Sequence, residues 1–559
     1  MTASEASADL EQLFGYVRTF YGPYDYKEAR FGYSIAELEE QARDMLADEP
    51  TDDGFYTAAN WFLSRFDDGH VGLTPAPSSN PVTGYSIPLF ITPVEGKALV
   101  AAVGSPLADL GIAYGDEMVG IDGISPFTLL DTEIRKIGAF GNPLSNQHLI
   151  YQALLRPGYA AGLRPTSPTA HLDFRRADGS EYSLDVIWRE VRDESPSFVP
   201  ERSTPLDPES YLSARALAIN AAAQGSLLAL GSPTPFFYNG VTRAVFDITP
   251  VVPNAEMLAR YAVDPAAPPG LFGALYSYGD KTLLLIRQSV YGDVTELGYY
   301  RALLDQYDNF VDGLVVDQTH NPGGSLQYCT DFARLFTSSA GANFVQAYNA
   351  DRKWVNELRD AVELADPDLT TEEALRFELL ATRIEQAYDA GQALTAPLPL
   401  LGGNQLLPDD QYVWTKPLLV LIDELAGSCA DVFPMLIKSN RVAPLFGRRT
   451  MGLGGNVEGF GPLTNSLATL SLTRGIFTAY QEDETYAPAD FVENNGVQPD
   501  VEHVITAADF RSGFIDYMAH FSAVIAAQID GATIADQSDS AAIVDPIDGG
   551  EADEADSPE

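Results

Sequence analysis

Asp317-Gln-Thr-His-Asn-Pro-Gly-Gly-Ser325 and, about a hundred residues later, Asp423-Glu-Leu-Ala-Gly-Ser-Cys-Ala-Asp431 are two turn-forming stretches in matching surroundings. Each follows an apolar run, Gly313-Leu-Val-Val316 in one case and Leu418-Leu-Val-Leu-Ile422 in the other, and each precedes a helix-compatible segment. Short uninterrupted apolar runs of this kind read as buried strands. Both stretches are therefore expected to be strand-to-helix turns, whose backbone N–H groups are exposed at the start of a helix.

Such a pair of turns has a chemical reading. A helix beginning directly after Ser428 aims its first free N–H groups and its positive dipole end at the Ser oxygen, with the Cys429 N–H as the natural donor. Gly323 and Gly324 let the other backbone come close to a ligand because no Cβ is in the way. On neighbouring strands the two turns would offer amides from both sides of one carbonyl, and loss of one such donor costs about 3 kcal/mol of transition-state stabilisation. Ser428 is then a candidate nucleophile, with Cys429, Gly323 and Gly324 as candidate oxyanion donors. The plainer reading is that Ser428 caps its helix, since Ser428-x-x-Asp431 is a capping-box-like pattern.

Outward from the turns, the texture of the chain changes several times. From Ser7 to Phe66 apolar residues recur at helical spacing; in Ile35–Leu46, Ile35, Leu38, Ala42 and Leu46 share one face. This helical unit ends in Phe66-Asp-Asp-Gly-His-Val-Gly72, where glycines release His70 onto a loop. Between Gly84 and Trp188 short strands are separated by Asp122-Gly123 and Asp178-Gly179 turns. Within that region, Ser105–Gly123 resembles the helix, Gly-Asp turn and following strand of a PDZ domain, which implies capture of extended peptide ends by strand addition. Strands and helices alternate from Leu275 to Ile505, with a charged helical insertion near Thr370–Ala390, as in α/β organisation. The expected units are a helical domain (1–80), a PDZ-like domain (84–190), a connector or lid (191–270), an α/β core (271–530) and an acidic disordered tail (531–559).

Bulk properties narrow the classes. The 559 residues exceed one ordinary core, and 45% hydrophobic content with 11% aromatics is ample for several. No apolar run approaches the roughly 20 residues of a membrane-spanning helix, so no integral membrane segment is expected. Lys and Arg number 34 against 79 Asp and Glu, a net charge of −45 that repels phosphate backbones, so nucleic acid is not an expected partner. The start of the chain has neither the basic nor the apolar region of a signal peptide; a periplasmic or secreted setting fits the acidic surface. Cys329 and Cys429 are the two cysteines, too few for a disulfide framework or a zinc site, and no cofactor or metal is expected. Two buried thiols are the favoured arrangement and a single disulfide the other. Association of identical copies is left open.

Leu314–Ser325, Pro417–Asn456 and Val492-Glu-Asn-Asn-Gly-Val-Gln-Pro-Asp-Val501 together resemble the C-terminal-processing (tail-specific) serine peptidases, especially their tricorn-type branch. The resemblance implies a multidomain α/β (α+β) protein with a ClpP/crotonase-like α/β peptidase core. It also implies a serine endopeptidase acting on peptide or protein substrates selected through their C-terminal region. The processing branch activates its Ser with a Lys 25 positions later; that position here is Leu453, which has no lone pair to accept a proton. Of six histidines, His148 and His171 belong to the PDZ-like region and His503 and His520 follow the core, leaving His70 and His320. Tricorn-type peptidases take their base from the end of the N-terminal unit, which favours His70; His320, beside the two glycines, is the alternative base. Glu493 matches the Glu that orients the His in that branch. The branch links the two through a Ser, but Gly69 stands there, so the link falls to water, Asp68 or direct contact. Rival readings are an inert member of the same fold, either an apolar-ligand carrier like the retinoid-binding proteins of the eye or a PDZ scaffold.

Overall fold

The computed structural model of the chain describes residues 1–76, 82–126, 141–155, 165, 167–192, 245–263, 272–292, 294–363, 371–399 and 403–531. The expected connector at 191–270 and the acidic tail after Gly531 lie largely or wholly outside the described residues.

The two apolar runs form adjacent parallel strands in the middle of a seven-stranded sheet. Its order is Val501–Glu502, Leu445–Gly447, Leu418–Ile422, Gly313–Asp317, Lys281–Arg287, Phe272–Tyr278 and Thr249–Val251. The first five strands are parallel to their neighbours, and the last two run antiparallel. Leu284, Ile286, Leu314, Val316, Leu418, Val420 and Ile422 pack against the helices Glu296–Tyr307, Leu326–Arg334 and Cys429–Ser439. The intervening Leu283, Leu285, Val315, Leu419 and Leu421 face the helices Ala507–Ser512 and Ile515–Ile529. Burial of both faces is why these strands carry apolar runs without polar alternation. The register, from Leu314 opposite Leu418 to Asp317 opposite Leu421, brings the two following turns side by side.

The helical unit consists of Ala3–Phe20, Tyr24–Phe31, Ile35–Asp48 and Asp52–Ser64. In the third helix Ile35, Leu38, Ala42 and Leu46 are buried as their spacing predicts, together with Glu39, which receives the Arg18 guanidinium. The unit shares its core with Phe460, Leu463, Ala468, Leu470 and Leu472. Phe460, Leu470 and Leu472 belong to a four-stranded sheet of Gly72–Thr74, Thr469–Ala479, Phe344–Tyr348 and Gly455–Phe460. Gly72, Leu73 and Thr74 pair antiparallel with Ser471, Leu470 and Thr469. The loop carrying His70 is therefore tied to the C-terminal half two residues beyond the histidine.

Leu89–Val94, Lys97–Val103, Glu117–Ile121, Thr169–Arg175 and Glu181–Ile187 make an antiparallel sheet in chain order, as the turn signals predict. Gly179, at φ 85°, serves the tight turn joining the last two strands. Leu89–Val94 forms one edge, with the helix Pro143–Leu155 against it. Val94, Leu99 and Ala101 enter the core of the seven-stranded sheet, which fastens this unit to the rest. The charged insertion is the helix Thr371–Asp389, paired with Arg352–Glu363 over Tyr348 and Trp354.

Phe460 stacks on Phe20 at 4.7 Å and lies 5.7 Å from Tyr16, so it joins the helical unit to the four-stranded sheet. Phe460→Ala should lower the unfolding free energy by about 3 kcal/mol or more. Chemical denaturation of the two proteins checks this, and a loss under about 1 kcal/mol would mean that the junction is not packed as described.

Candidate active site

The two turns touch at several points. The Gly427 N–H donates to the Asn321 carbonyl at 3.0 Å, and the Cys429 thiol donates to the Gly324 carbonyl at 2.8 Å. Asn321 is fully buried, and its amide nitrogen donates to the Gln288 carbonyl at 2.9 Å. A Cβ added at Gly323 would stand 2.6 Å from the Ser428 Cβ and 2.8 Å from the Cys429 nitrogen. One added at Gly324 would meet the Tyr291 carbonyl oxygen at 1.9 Å. Both positions also have φ in the left-handed region, at 102° and 139°, so close approach and backbone conformation require glycine together. One expectation changes here: the Gly323 N–H already donates to Asn321 Oδ1 at 2.8 Å, because the side chain of Asn321 folds over its own turn. Cys429 is the donor this site offers most directly, since at the first helical position its N–H has no intrahelical acceptor. Cys329 and Cys429 are both buried free thiols, and burial and contact with Cys429 push the Cys329 thiol well up.

Ser428 sits between strand and helix with φ 57° and ψ −119°. For a residue with a Cβ, such a backbone stores on the order of 1–3 kcal/mol of strain, and outliers of this kind gather at functional sites. The capping-box reading fails, because the Ser428 side chain makes no capping hydrogen bond. The Asp431 carboxylate instead accepts the N–H groups of Gly452 and Leu453 at 3.0 and 2.9 Å, holding the 450–454 loop against the start of the helix. Leu453 is fully buried, with Cδ1 3.2 Å from where a Gly427 Cβ would stand. An apolar side chain thus occupies the place of a Lys base.

The same loop links this turn to the other predicted residues. The Gly454 N–H donates to Glu493 Oε2 at 3.1 Å, and the Asn494 N–H donates to the Gly452 carbonyl at 3.0 Å. The Asn494 amide nitrogen reaches the Asp67 carbonyl at 2.6 Å, three residues before His70. His70 is buried, its N–H donates to Asp68 Oδ1 at 3.0 Å, and its Nδ1 is buried without a hydrogen-bond partner. Among the described residues no hydrogen bond joins His70 to Ser428 or to Glu493. Burial lowers the pKa of His70, with Asp68 opposing and Lys27 adding to the effect. Glu493 is fully buried with Lys27, whose ammonium lies 2.5 Å from Glu493 Oε1 and 2.6 Å from Asn494 Oδ1. Burial and the nearby Asp68 push the Glu493 carboxyl up, to about 8, against the pull of Lys27. Sequence reasoning missed Lys27, Asn321 and the role of Asp431. Lys27 lies in Tyr-Asp-Tyr-Lys-Glu-Ala-Arg-Phe, which reads as an ordinary polar helix, and its partner is 466 positions away.

His320 occupies a different place. Its Nε2 lies 3.0 Å from Asp423 Oδ2 and its N–H donates to Asp423 Oδ1 at 2.8 Å. The ring lines an apolar-walled cavity with His148, Glu424, Arg448, Phe510 and Tyr517, which Ser428 does not line. Burial opposes its imidazolium, but Asp423 outweighs this and pushes the pKa up. His320 Nε2 is thus held by the Asp423 carboxylate, on a cavity separate from the Ser428 turn. His148 in turn lies 3.0 Å from Glu424 Oε1, joining the helix Pro143–Leu155 to the end of the Leu418–Ile422 strand.

Residues 292–503 match Peptidase family S41. A protein of Chlamydia pneumoniae is 25% identical, covering 95% of this chain and 91% of its own length. An uncharacterized protein of Chlamydia muridarum is 23% identical, over 96% of this chain and 94% of its own. The crystal structure of mature CPAF superposes with a TM-score of 0.72 at 21% identity, over 95% of this chain and 99% of that one. The complex of mature CPAF with lactacystin gives 0.70 at the same identity and coverage. These structural likenesses establish a shared fold for nearly the whole length.

Asp431 provides a pH test of the loop contact. Burial raises its pKa to about 6 against the pull of Thr450, Gly452 and Leu453, so between about pH 4 and 6 the folded state binds the extra proton. Its contribution to stability is then complete below about pH 4 and is lost as pH rises through 6, by about 3 kcal/mol in all. Unfolding free energies from pH 4 to 7 should show this decline in the parent protein and a flatter curve in Asp431→Asn. Parallel curves would contradict the assignment.

Proposed function

We propose, from the premise that this chain is a serine-type peptidase whose residues 292–503 belong to peptidase family S41, that Ser428 is its nucleophile and His70 its general base. The observation that carries this reading is the strained Ser428 elbow, pressed against Gly323 at the head of the Cys429–Ser439 helix. A hydroxyl on such an elbow stands clear of its own backbone, and the helix start directs N–H groups and positive potential at the same point.

The exchange with Ser428 is assigned to His70 Nε2; Nδ1 is buried without a hydrogen-bond partner. The imidazole takes the Ser428 proton as Oγ attacks a peptide carbonyl. The Cys429 N–H holds the oxyanion, joined by Gly324 or, once Asn321 lets go, by Gly323. His70 then returns the proton to the departing amine, and water releases the acyl-enzyme by the same steps in reverse order. Asp68 favours the imidazolium while it exists, and Glu493, held by Lys27, orients the His70 loop through its neighbour Asn494. Contacts between a nucleophile and its base are often long at rest and tighten on substrate binding.

Peptides and proteins are the substrates of this reading, taken by their C-terminal region. What supports this part of the reading is the PDZ-like segment Ser105–Gly123, whose strand Glu117–Ile121 belongs to the five-stranded antiparallel sheet.

Ser428→Ala and His70→Ala should each reduce kcat/KM on a peptide substrate by on the order of 10^4 or more, whereas His320→Ala should stay within about threefold. Fluorophosphonate labelling should disappear with Ser428→Ala. Because burial depresses His70, the acid limb of kcat/KM should lie below pH 6.5. Cleavage by Ser428→Ala at the parent rate, or a larger loss with His320→Ala than with His70→Ala, would overturn the assignment.

A further inference from the structure

Lys27 has no exposed surface, although it belongs to a short helix, Tyr24–Phe31, whose other residues are all at least partly exposed. Its ammonium reaches both Glu493 and Asn494, and two neighbours on the helix close on the same turn. The Tyr26 hydroxyl donates to the Glu493 carbonyl at 2.7 Å, and Arg30 donates to the Asn494 carbonyl at 3.3 Å. Arg449 donates to the same carbonyl at 3.2 Å. Asn494 passes the connection on to Asp67, and Glu493 passes it to Gly454. One buried cation therefore stands between the loop of His70 and the loop that Asp431 holds at the base of the Ser428 helix.

Stability alone explains this arrangement poorly. Desolvating an ammonium and a carboxylate is expensive, and well-packed apolar residues of similar volume often serve a fold as well or better. What the pair supplies is geometry and charge at one point. His70 and Ser428 come from units 358 positions apart in the chain, and an imidazole misplaced by about 1 Å loses on the order of 100-fold in rate.

We propose that Lys27 is a positioning residue of the peptidase reaction, acting through Glu493 and Asn494 to hold the His70 loop in register with the Ser428 turn. The inference rests on the roles of Ser428, His70 and Glu493 set out above. An electrostatic consequence accompanies it. The charged and titratable groups around His70 and Glu493 are Asp68, Lys27, Arg30, Arg449, Tyr21 and Tyr26, the Tyr21 hydroxyl donating to Asp68 Oδ2 at 3.0 Å. Within this set Lys27 disfavours the imidazolium of His70 and Asp68 favours it. Removing the ammonium should therefore raise the pKa of the base as well as loosen its support.

The test compares Lys27→Met and Lys27→Gln with the parent full-length chain, with Ser428→Ala as the inert control. The readouts are kcat and KM on a peptide substrate from pH 5 to 9, per fluorophosphonate-reactive site. Lys27→Met should lose at least tenfold in kcat with KM within about threefold, and its acid limb should move to higher pH. Lys27→Gln keeps a donor for Glu493 without the charge, so it should show the same shift with a smaller loss, and it carries the test if Lys27→Met does not fold. In a Glu493→Gln background, Lys27→Met should cost less than in the parent, because one of the two residues it acts through is already changed. An unshifted acid limb with parental kcat per reactive site would overturn the proposal, as would an equal loss in both Glu493 backgrounds. Cleavage by Ser428→Ala would instead defeat the reading of the site itself, so the two failures are separable.

Discussion

The contact on which the site depends is the approach of the Gly323 backbone to Ser428. No side chain fits between them, since a Cβ at position 323 would come within 2.6–2.8 Å of three atoms of the opposing turn. That approach requires the strands Gly313–Asp317 and Leu418–Ile422 to be immediate neighbours, parallel, and in a register that ends them together. Parallel register in turn requires helices on both faces of the sheet, and the two layers of alternating leucine, isoleucine and valine supply the apolar area for them. The glycine contact, the apolar runs and the helix that begins at Cys429 are thus parts of one constraint. A slip of a single residue between the strands would turn each layer towards the wrong helices and separate the turns at once.

The second constraint is the union of distant segments. His70 comes from the end of the helical unit, while the Ser428 elbow belongs to the seven-stranded sheet, and the material between them is the four-stranded sheet with its buried charges. Arg474, fully buried on the strand Thr469–Ala479, is held by Asp351 and Glu458 and faces the rings of Phe20, Trp354 and Phe460. A guanidinium so enclosed is tolerable only with its carboxylates in place, and loss of one partner from such a set typically costs about 3–5 kcal/mol. The strand that accepts Gly72–Thr74 is therefore anchored from beneath, and the His70 loop inherits that rigidity.

Much of this was legible in the chain itself. Leu418–Ile422 matches its predicted limits, and Gly313–Asp317 extends one residue beyond its own, because strands buried on both faces have no polar positions to blur the signal. The face of the helix Ile35–Asp48 was readable for the complementary reason: one side is wet, so its 3.6-residue period shows. The illegible parts are those in which a polar side chain acts on a partner far along the chain. Asp431 looked like a cap because Ser-x-x-Asp is a local pattern, yet the N–H groups of Gly452 and Leu453 compete better for its carboxylate. Asn321 looked like a turn residue, and its oxygen takes the Gly323 N–H that sequence reasoning assigned to an oxyanion. Composition and periodicity carry no information about such pairings, whose energies depend on enclosure rather than on neighbours in sequence.

Gly69 shows how the two kinds of information combine. At the position where the resembled branch has a linking hydroxyl, the chain has no side chain, and Asp68 turns back to accept the N–H of His70 and the hydroxyl of Tyr21. Asp68 is thereby fixed as a near but indirect source of negative potential. It pushes the Glu493 carboxyl up and draws the imidazole towards charge, while Lys27 acts in the opposite sense on both. With the Glu493 carboxyl pushed up to about 8, Asp68 is the charge that favours the imidazolium and Lys27 the one that opposes it. On the proposed mechanism, an imidazolium formed during attack on a peptide bond is stabilised by Asp68. The same surroundings that keep the resting imidazole neutral, through burial and the nearby cation, therefore favour its charged form only when the Ser428 proton arrives together with a stabilised oxyanion.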